Sequence, residues 1–423
     1  MANLLLGIVA LIAFSFYDPS LIIYQIGMVN EIAVGLIGAL ALFNHDKVIG
    51  LLFLSWRRQR ALTVFCAVWL VWALYFVAHS AMGLTSFGFA ATRVIRIGFI
   101  ILFFFNIRKY WHLTSYIRVV VVFAVTYSVL SIVFHLVTLN FGIPAATLTH
   151  IPVVDLDYAD LGIYGYMWPN NYSFPMRFGK VAIYRTGSFF NESAAFAFFL
   201  EPALFYVLHL RASARYKFAY SAAFVVILLG IVASTSVAGL AAVILSFLVL
   251  VLFLNIGIGK RIGAGLAVAF GVYLFMYSGA GVLDSVLTTK QATLALEAEG
   301  LERGMGLLHG MALLTGTGYD FIIDEDMYVS ANAVLANLQR GGLIGLAFFA
   351  LTILMMLKQL WSANPAKLMQ HGRWAAFAML PNFIHMVIKV NYEFTFIYLI
   401  NFSLVFWYLN YVRANYPAPD RPG

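Results

Sequence analysis

Long apolar runs separated by short polar breaks set the pattern of this chain. They fall near 2–16, 20–43, 61–80, 90–107, 115–140, 187–210, 218–234, 236–256, 262–279, 332–357, 374–390 and 393–412. A helix needs roughly 20 apolar residues to cross a bilayer, and most of these runs come close to that. The stretch 218–255 is too long for one crossing, and Ser234-Thr235-Ser236 with Gly239 behind it divides it in two. The first run is short, but Met1-Ala2-Asn3 lacks the basic start of a secretory signal, so a helix is expected there. The pattern predicts an all-α polytopic membrane protein, one integral membrane domain over 1–423 with about 12 transmembrane helices.

Composition narrows the function classes. Hydrophobic residues make up 63% of the chain and charged residues only 10%, where a soluble domain carries about 25% charged. That excludes an ordinary soluble domain and a disordered chain. The single cysteine, Cys66, lies in an apolar run and excludes an internal disulfide and a thiolate metal site. No two histidines have metal-ligand spacing, so neither a metal nor another cofactor is expected.

The net charge of +8 is read by membrane side, because cytoplasmic loops collect Lys and Arg. An even number of spans puts both termini on one side. With the termini inside, 17 of the 26 basic residues and only Asp46 and Asp420 of the 18 acids fall in the cytoplasm, giving +15 inside and −7 elsewhere. Both termini are therefore expected in the cytoplasm. The basic excess is then a topology signal, and no nucleic-acid partner is expected.

Nine basic residues go against that bias: Arg93, Arg96, Arg177, Lys180, Arg185, Lys290, Arg303, Arg340 and Lys389. They fall in outer loops or in the outward halves of helices, where charge is costly and marks function by default. Arg93 and Arg96 are three apart and share a helix face. Two long outer segments, 141–185 and 280–331, exceed ordinary connections. The first carries Asp155, Asp157 and Asp160 among Tyr164, Trp168 and Tyr172, which fit an interfacial aromatic belt or a wall on which sugars stack.

Two motifs carry candidate chemistry. In the first, Arg185-Thr186-Gly187-Ser188 leads through Asn191-Glu192 towards Glu201-Pro202. If helical, Arg185 and Glu192 share a face, as an ion pair that locks the bundle or as a working pair. Glu201 lies deeper beside a proline kink, either functional or a satisfied carboxylate. In the second, Glu302-Arg303-Gly304 through His309-Gly310 leads to Thr315-Gly316-Thr317-Gly318-Tyr319-Asp320. Arginine binds diphosphate with a planar fork, and the glycines would let backbone amides approach phosphate oxygens. A glycine-rich surface loop is the plainer alternative. His79, His135, His209 and His385 are single histidines in apolar runs, read as packed side chains.

Taken in order, these pieces resemble the bacterial O-antigen polymerase and ligase superfamily. The resemblance rests on Arg185-x-Gly187-Ser188-Phe189-x-Asn191-Glu192, Ser234-Thr235-Ser236-x-x-Gly239, Arg303 ahead of Gly316-Thr317-Gly318, and Ser330-Ala331-Asn332 through Arg340-Gly341. The wording around Phe189-Phe190-Asn191-Glu192 is closest to the exopolysaccharide polymerases. The resemblance implies a GT-C-like membrane glycosyltransferase bundle in the inner membrane, with its active site facing the periplasm. The implied substrate is a glycan on undecaprenyl diphosphate, transferred without metal or nucleotide sugar. Membrane lipids, a flippase and a chain-length regulator are the implied partners. Arg185 and Arg303 match the family's arginines. Ligases of the family usually carry a histidine where Ala331 stands, which favours a polymerase over a ligase.

With no histidine at 331, the base that deprotonates the acceptor is ranked Glu192, then Asp320, then His309. Arg93, Arg96, Arg177, Lys180, Asn191, Lys290, Tyr319, Asn332, Arg340, Trp168 and Tyr172 are the expected substrate contacts. A flippase for lipid-linked glycan and a scaffold without chemistry are the competing classes.

Overall fold

A computed structural model describes residues 1–15, 29–53, 60–141, 193–253, 305–318, 332–389 and 394–415, with short pieces between, including 176–178, 181–183, 186–187 and 190. The helices in order are α1 Ala2–Ser15, α2 Val29–Phe43, α3 His45–Phe53, α4 Arg60–Ala81, α5 Phe87–Asn106 and α6 Tyr110–Phe141. A small antiparallel hairpin follows, β1 Met176–Phe178 with β2 Val181–Ile183, in which Arg177 pairs with Ala182. Then come α7 Ser193–Ser213, α8 Lys217–Ala233, α9 Val237–Leu252, α10 Met311–Thr315, α11 Ala333–Ser362, α12 Pro365–Gln370, a 3-10 turn Trp374–Phe377, α13 Leu380–Ile388 and α14 Phe396–Asn415.

Five of these, α4, α5, α6, α7 and α11, are long and apolar enough to cross a membrane. Shorter apolar helices accompany them at α1, α2, α8, α9 and 374–388. Leu70, Val71, Leu74 and Val77 of α4 and Val122 of α6 stay exposed, the apolar rim of a helical protein embedded in lipid.

Several helices differ from their expected limits. The run 187–210 does not open at Gly187. Thr186 and Gly187 are not helical, the Phe190 amide turns back to the Gly187 carbonyl at 2.9 Å, and α7 starts at Ser193. The run 374–390 is not one helix but a 3-10 turn followed by α13, whose first turn holds Pro381, a position where the missing N–H costs nothing. Helix α3, in a connection expected to be plain, begins just after Asn44 turns back to the Leu40 carbonyl at 2.8 Å. The hairpin lies in the first long outer segment, which carried no strand signal. Residues 262–279 fall almost wholly outside the described residues.

Helix α7 is the axis of the bundle. Of its apolar window 83% is buried, against 35–39% for the other four long helices. It packs on α6, α8, α9 and α13. A continuous aromatic column joins α4, α5 and α14. Phe65 stacks on Phe104 at 4.5 Å, Trp69 on Trp72 at 5.4 Å, and the Phe394 edge meets Trp72 at 4.6 Å.

Polar ties mark the two ends. At one, Arg108 donates to the Phe43 carbonyl at 2.6 Å and faces Asp46, while His209 links Tyr110 to the Gly372 carbonyl. At this end the basic connections of the sequence gather. At the other end lie the start of α5, the head of α7, the end of α13 and the head of α11.

Candidate functional site

The second end holds a layer of polar groups sunk into the apolar bundle. At 1.5 Å per residue, Arg96, Glu201 and Gly342 each lie about 12 to 14 Å from the start of their helix. Charges at such depth in an apolar bundle are the first place to look for chemistry.

The glycine motif forms one side of this layer. Helix α11 breaks at Gly342, whose φ is 59° and ψ −159°. The segment 315–318 lies along the break. The Thr317 amide donates to the Gln339 carbonyl at 2.9 Å and the Gly318 amide to the Arg340 carbonyl at 3.0 Å. Helix α4 closes the arrangement from outside. Tyr75 donates to the carbonyls of Thr315 at 3.0 Å and Gly341 at 2.7 Å. His79 bonds the Thr315 carbonyl at 2.5 Å and the Thr85 hydroxyl at 2.9 Å. This corrects the expectation that the glycines free their amides for phosphate. The amides of Gly316, Thr317 and Gly318 are all taken by carbonyls of the chain. What the glycines permit is close approach of backbone to backbone.

Arg93 and Arg96 do share a face, as expected. Arg93 stands 4.5 Å over the Phe89 ring and 4.8 Å over Phe394. Arg96 donates to the Phe394 carbonyl at 3.1 Å and lies 5.3 Å over Phe396. Both are half-buried, and so are Arg340 and Lys389. Asn332 is corrected. Its oxygen caps α11 by accepting from the amides of Val334 at 2.9 Å and Leu335 at 3.2 Å, and its nitrogen donates to the Val387 carbonyl. Both ends of that side chain serve the fold rather than a substrate. His309 is exposed, just ahead of Gly310 at φ +56°. The side chain of Arg177 and the residues Trp168, Tyr172, Lys180, Arg185, Asn191, Glu192, Lys290, Arg303, Tyr319 and Asp320 lie outside the described residues. The non-helical backbone at Thr186, Gly187 and Phe190 does overturn one argument about them. Arg185 and Glu192 are not set on one face by two turns of helix, so Glu192 loses the fixed relation that put it first as base.

On the far side of the layer Glu201, open between a functional and a satisfied carboxylate in the sequence, meets His385, which the sequence reads as a packed side chain. Glu201 of α7 and His385 of α13 are both fully buried, with Oε1 and Nδ1 2.5 Å apart. Asn382 donates to Glu201 Oε2 at 3.1 Å and also to the Phe198 carbonyl at 2.8 Å. Phe198 is the residue whose carbonyl Pro202 leaves without its helical donor. The first turn of α9 closes against the same carboxylate. A Cβ at Gly239 would lie 3.2 Å from Glu201 Oε1 and 2.6 Å from the Ala197 Cβ. Ser236 caps that helix by accepting from the Gly239 amide at 3.2 Å. Its positive end therefore faces the carboxylate, which it favours. A signal was present in the sequence. Asn382 and His385 are spaced three apart on one face of an otherwise apolar helix.

A cavity of about 480 Å³ opens at the opposite end, among Asp46, Lys47, Trp407 and Tyr411, and no candidate residue lines it. Among the described residues no group of His, Cys, Asp and Glu is arranged to hold a metal ion.

No family model and no curated protein matches this chain. Function therefore rests on the geometry above and on the residues themselves.

Proposed function

We propose that the protein is a membrane glycosyltransferase that joins oligosaccharide repeat units carried on undecaprenyl diphosphate into a longer surface polysaccharide. The reaction takes place at the periplasmic face of the bacterial inner membrane, with both termini of the chain in the cytoplasm. The acceptor hydroxyl attacks the anomeric carbon of the donor, and the lipid diphosphate leaves. The observation that carries this reading is the recessed polar layer at one end of an apolar bundle, where half-buried Arg93, Arg96 and Arg340 stand on α5 and α11 and the buried Glu201 on α7. Cations at that depth fit an anionic headgroup that enters from the membrane, and carboxylates fit sugar hydroxyls. The order of the Arg185, Ser234, Arg303 and Asn332 motifs supports the same reading, and Ala331 favours a polymerase over a ligase. In this reading the twelve apolar runs all cross the membrane in a GT-C-like bundle, and Arg185 and Arg303 hold the diphosphate.

The test is reconstitution of the purified protein in vesicles with a lipid-linked repeat unit, followed by gel separation of the glycans. A ladder of longer glycans is expected. Transfer of the unit between leaflets without lengthening would make the protein a transporter, and transfer onto a lipid A-core acceptor would make it a ligase. The Arg303→Lys variant is expected to lose about 100-fold in output at equal expression, because a point charge does not replace a fork that stabilises the leaving diphosphate. Wild-type output from Arg303→Lys would remove Arg303 from that role.

A further inference from the structure

We infer that His385, oriented by Glu201, is the proton acceptor for the attacking hydroxyl. This rests on the glycosyltransferase reading above and names a base for it.

The inference starts from the ring of His385. Assigning the 2.5 Å contact as Nδ1–H donating to Glu201 Oε1 leaves the lone pair on Nε2, since one ring nitrogen's bond fixes the state of the other. Nε2 is buried and has no hydrogen-bond partner among the described residues. Buried polar atoms are nearly always satisfied, and an exception calls for an explanation. A histidine kept only for packing would be held at both nitrogens or replaced by an apolar ring. Here one nitrogen is tied tightly and the other is bare.

The surroundings are built around the carboxylate. Asn382 fixes Oε2, and the N-terminal turn of α9 closes on Oε1 at a position where only glycine leaves room. Thr235, two residues before that helix, sits at φ +50° and has a buried hydroxyl with no hydrogen-bond partner among the described residues. A β-branched residue there is strained, and such strain gathers at working sites. His385 stands one turn, about 5 Å along the helix, before the last residues of α13, where the Val387 carbonyl is tied to Asn332 at the head of α11.

The step balances without a further reactant. The acceptor oxygen bonds to the anomeric carbon as the bond from that carbon to the diphosphate oxygen breaks. The electron pair leaves with the diphosphate. The hydroxyl proton passes to His385 Nε2, and Glu201 stabilises the imidazolium until the proton is released before the next turnover. His385 is the catalytic residue in this scheme, and Glu201 positions it.

Two variants test this in the vesicle assay, with donor and acceptor concentrations varied. His385→Asn keeps an amide where Nδ1 bonds Glu201 but has nothing at the place of Nε2. It is expected to lower turnover by about 100-fold or more with the donor KM unchanged. Glu201→Gln keeps the shape and an oxygen for Nδ1–H but loses the charge that stabilises the imidazolium, and it sets an amide N–H2 against the Asn382 donor. It is expected to lower turnover roughly 100-fold with KM unchanged, alongside a small drop in thermal midpoint. If His385→Asn does not fold, Glu201→Gln decides. Turnover within a few-fold of wild type in either folded variant overturns the role while leaving the polymerase reading intact. A wild-type protein that makes no ladder overturns both.

Discussion

Alanine in place of Gly342 is expected to lower the stability of the detergent-purified protein by about 4 kcal/mol. Two costs combine. The backbone of Gly342, at φ 59° and ψ −159°, lies in a region open almost only to glycine, and a side chain there adds about 1–3 kcal/mol of strain. The new Cβ would also stand 2.4 Å from the Leu314 carbonyl and 2.5 Å from the Gly316 amide. Both neighbours are backbone, so no rotamer change relieves the contact, and overpacking of this kind costs about 1–3 kcal/mol more. Folded proteins are stable by only about 5–15 kcal/mol, so the loss is a large share of the whole. The control is Gly98→Ala in α5, where an added Cβ meets nothing within 4 Å. That change is expected to be neutral or to stabilise by up to about 1 kcal/mol. Thermal unfolding of the two variants beside wild type reads the difference. An unchanged midpoint for Gly342→Ala would mean that α11 runs straight through 342 and that the segment 315–318 does not need the break.

That site shows where pattern reading succeeded and where it stopped. The apolar runs located the helices, because lipid and core both select apolar side chains and leave a clear period. Clustering Gly316, Gly318, Gly341 and Gly342 as special positions was also possible from sequence, since glycine in such numbers signals unusual backbone. What the glycines approach was not legible. A ligand and another strand of the same chain impose the same demand for a missing Cβ, and only the contacts with Gln339, Arg340 and Leu84 separate them. The start of α7 was misplaced because Gly187 and Ser188 are good helix-opening residues in isolation, whereas the chain turns at Phe190 and opens the helix at Ser193. The pairing of Glu201 with His385 spans 184 positions, and no local pattern encodes a contact of that range. Even there, residue types left traces: a glutamate next to a proline on one helix, and an asparagine and a histidine three apart on another.

The proline beside Glu201 leads to the second large effect. Asn382→Leu is expected to destabilise the bundle by about 2–3 kcal/mol, and Pro202→Ala is expected to return part of that loss. A single hydrogen bond between helices in a membrane is worth only about 0.6 kcal/mol on average, because the unfolded chain in lipid finds other partners. Asn382 exceeds that average for two reasons. It holds two acceptors at once, the Phe198 carbonyl at 2.8 Å and Glu201 Oε2 at 3.1 Å, and both are buried. Removing it takes the Asn382 donor from the Phe198 carbonyl, and residue 202 has no N–H to take its place. Alanine at 202 supplies that N–H from within the helix. In the Asn382→Leu background it therefore replaces the donor that carbonyl has lost, while in wild type it competes with a bond already made. The two changes should be non-additive, with a coupling of about 1 kcal/mol in the direction of rescue. The thermal or denaturant midpoints of the two single variants and the double variant form the cycle. Strict additivity would show that Asn382 does not replace the hydrogen bond that Pro202 removes, and its contact with Glu201 would then have to account for the whole loss.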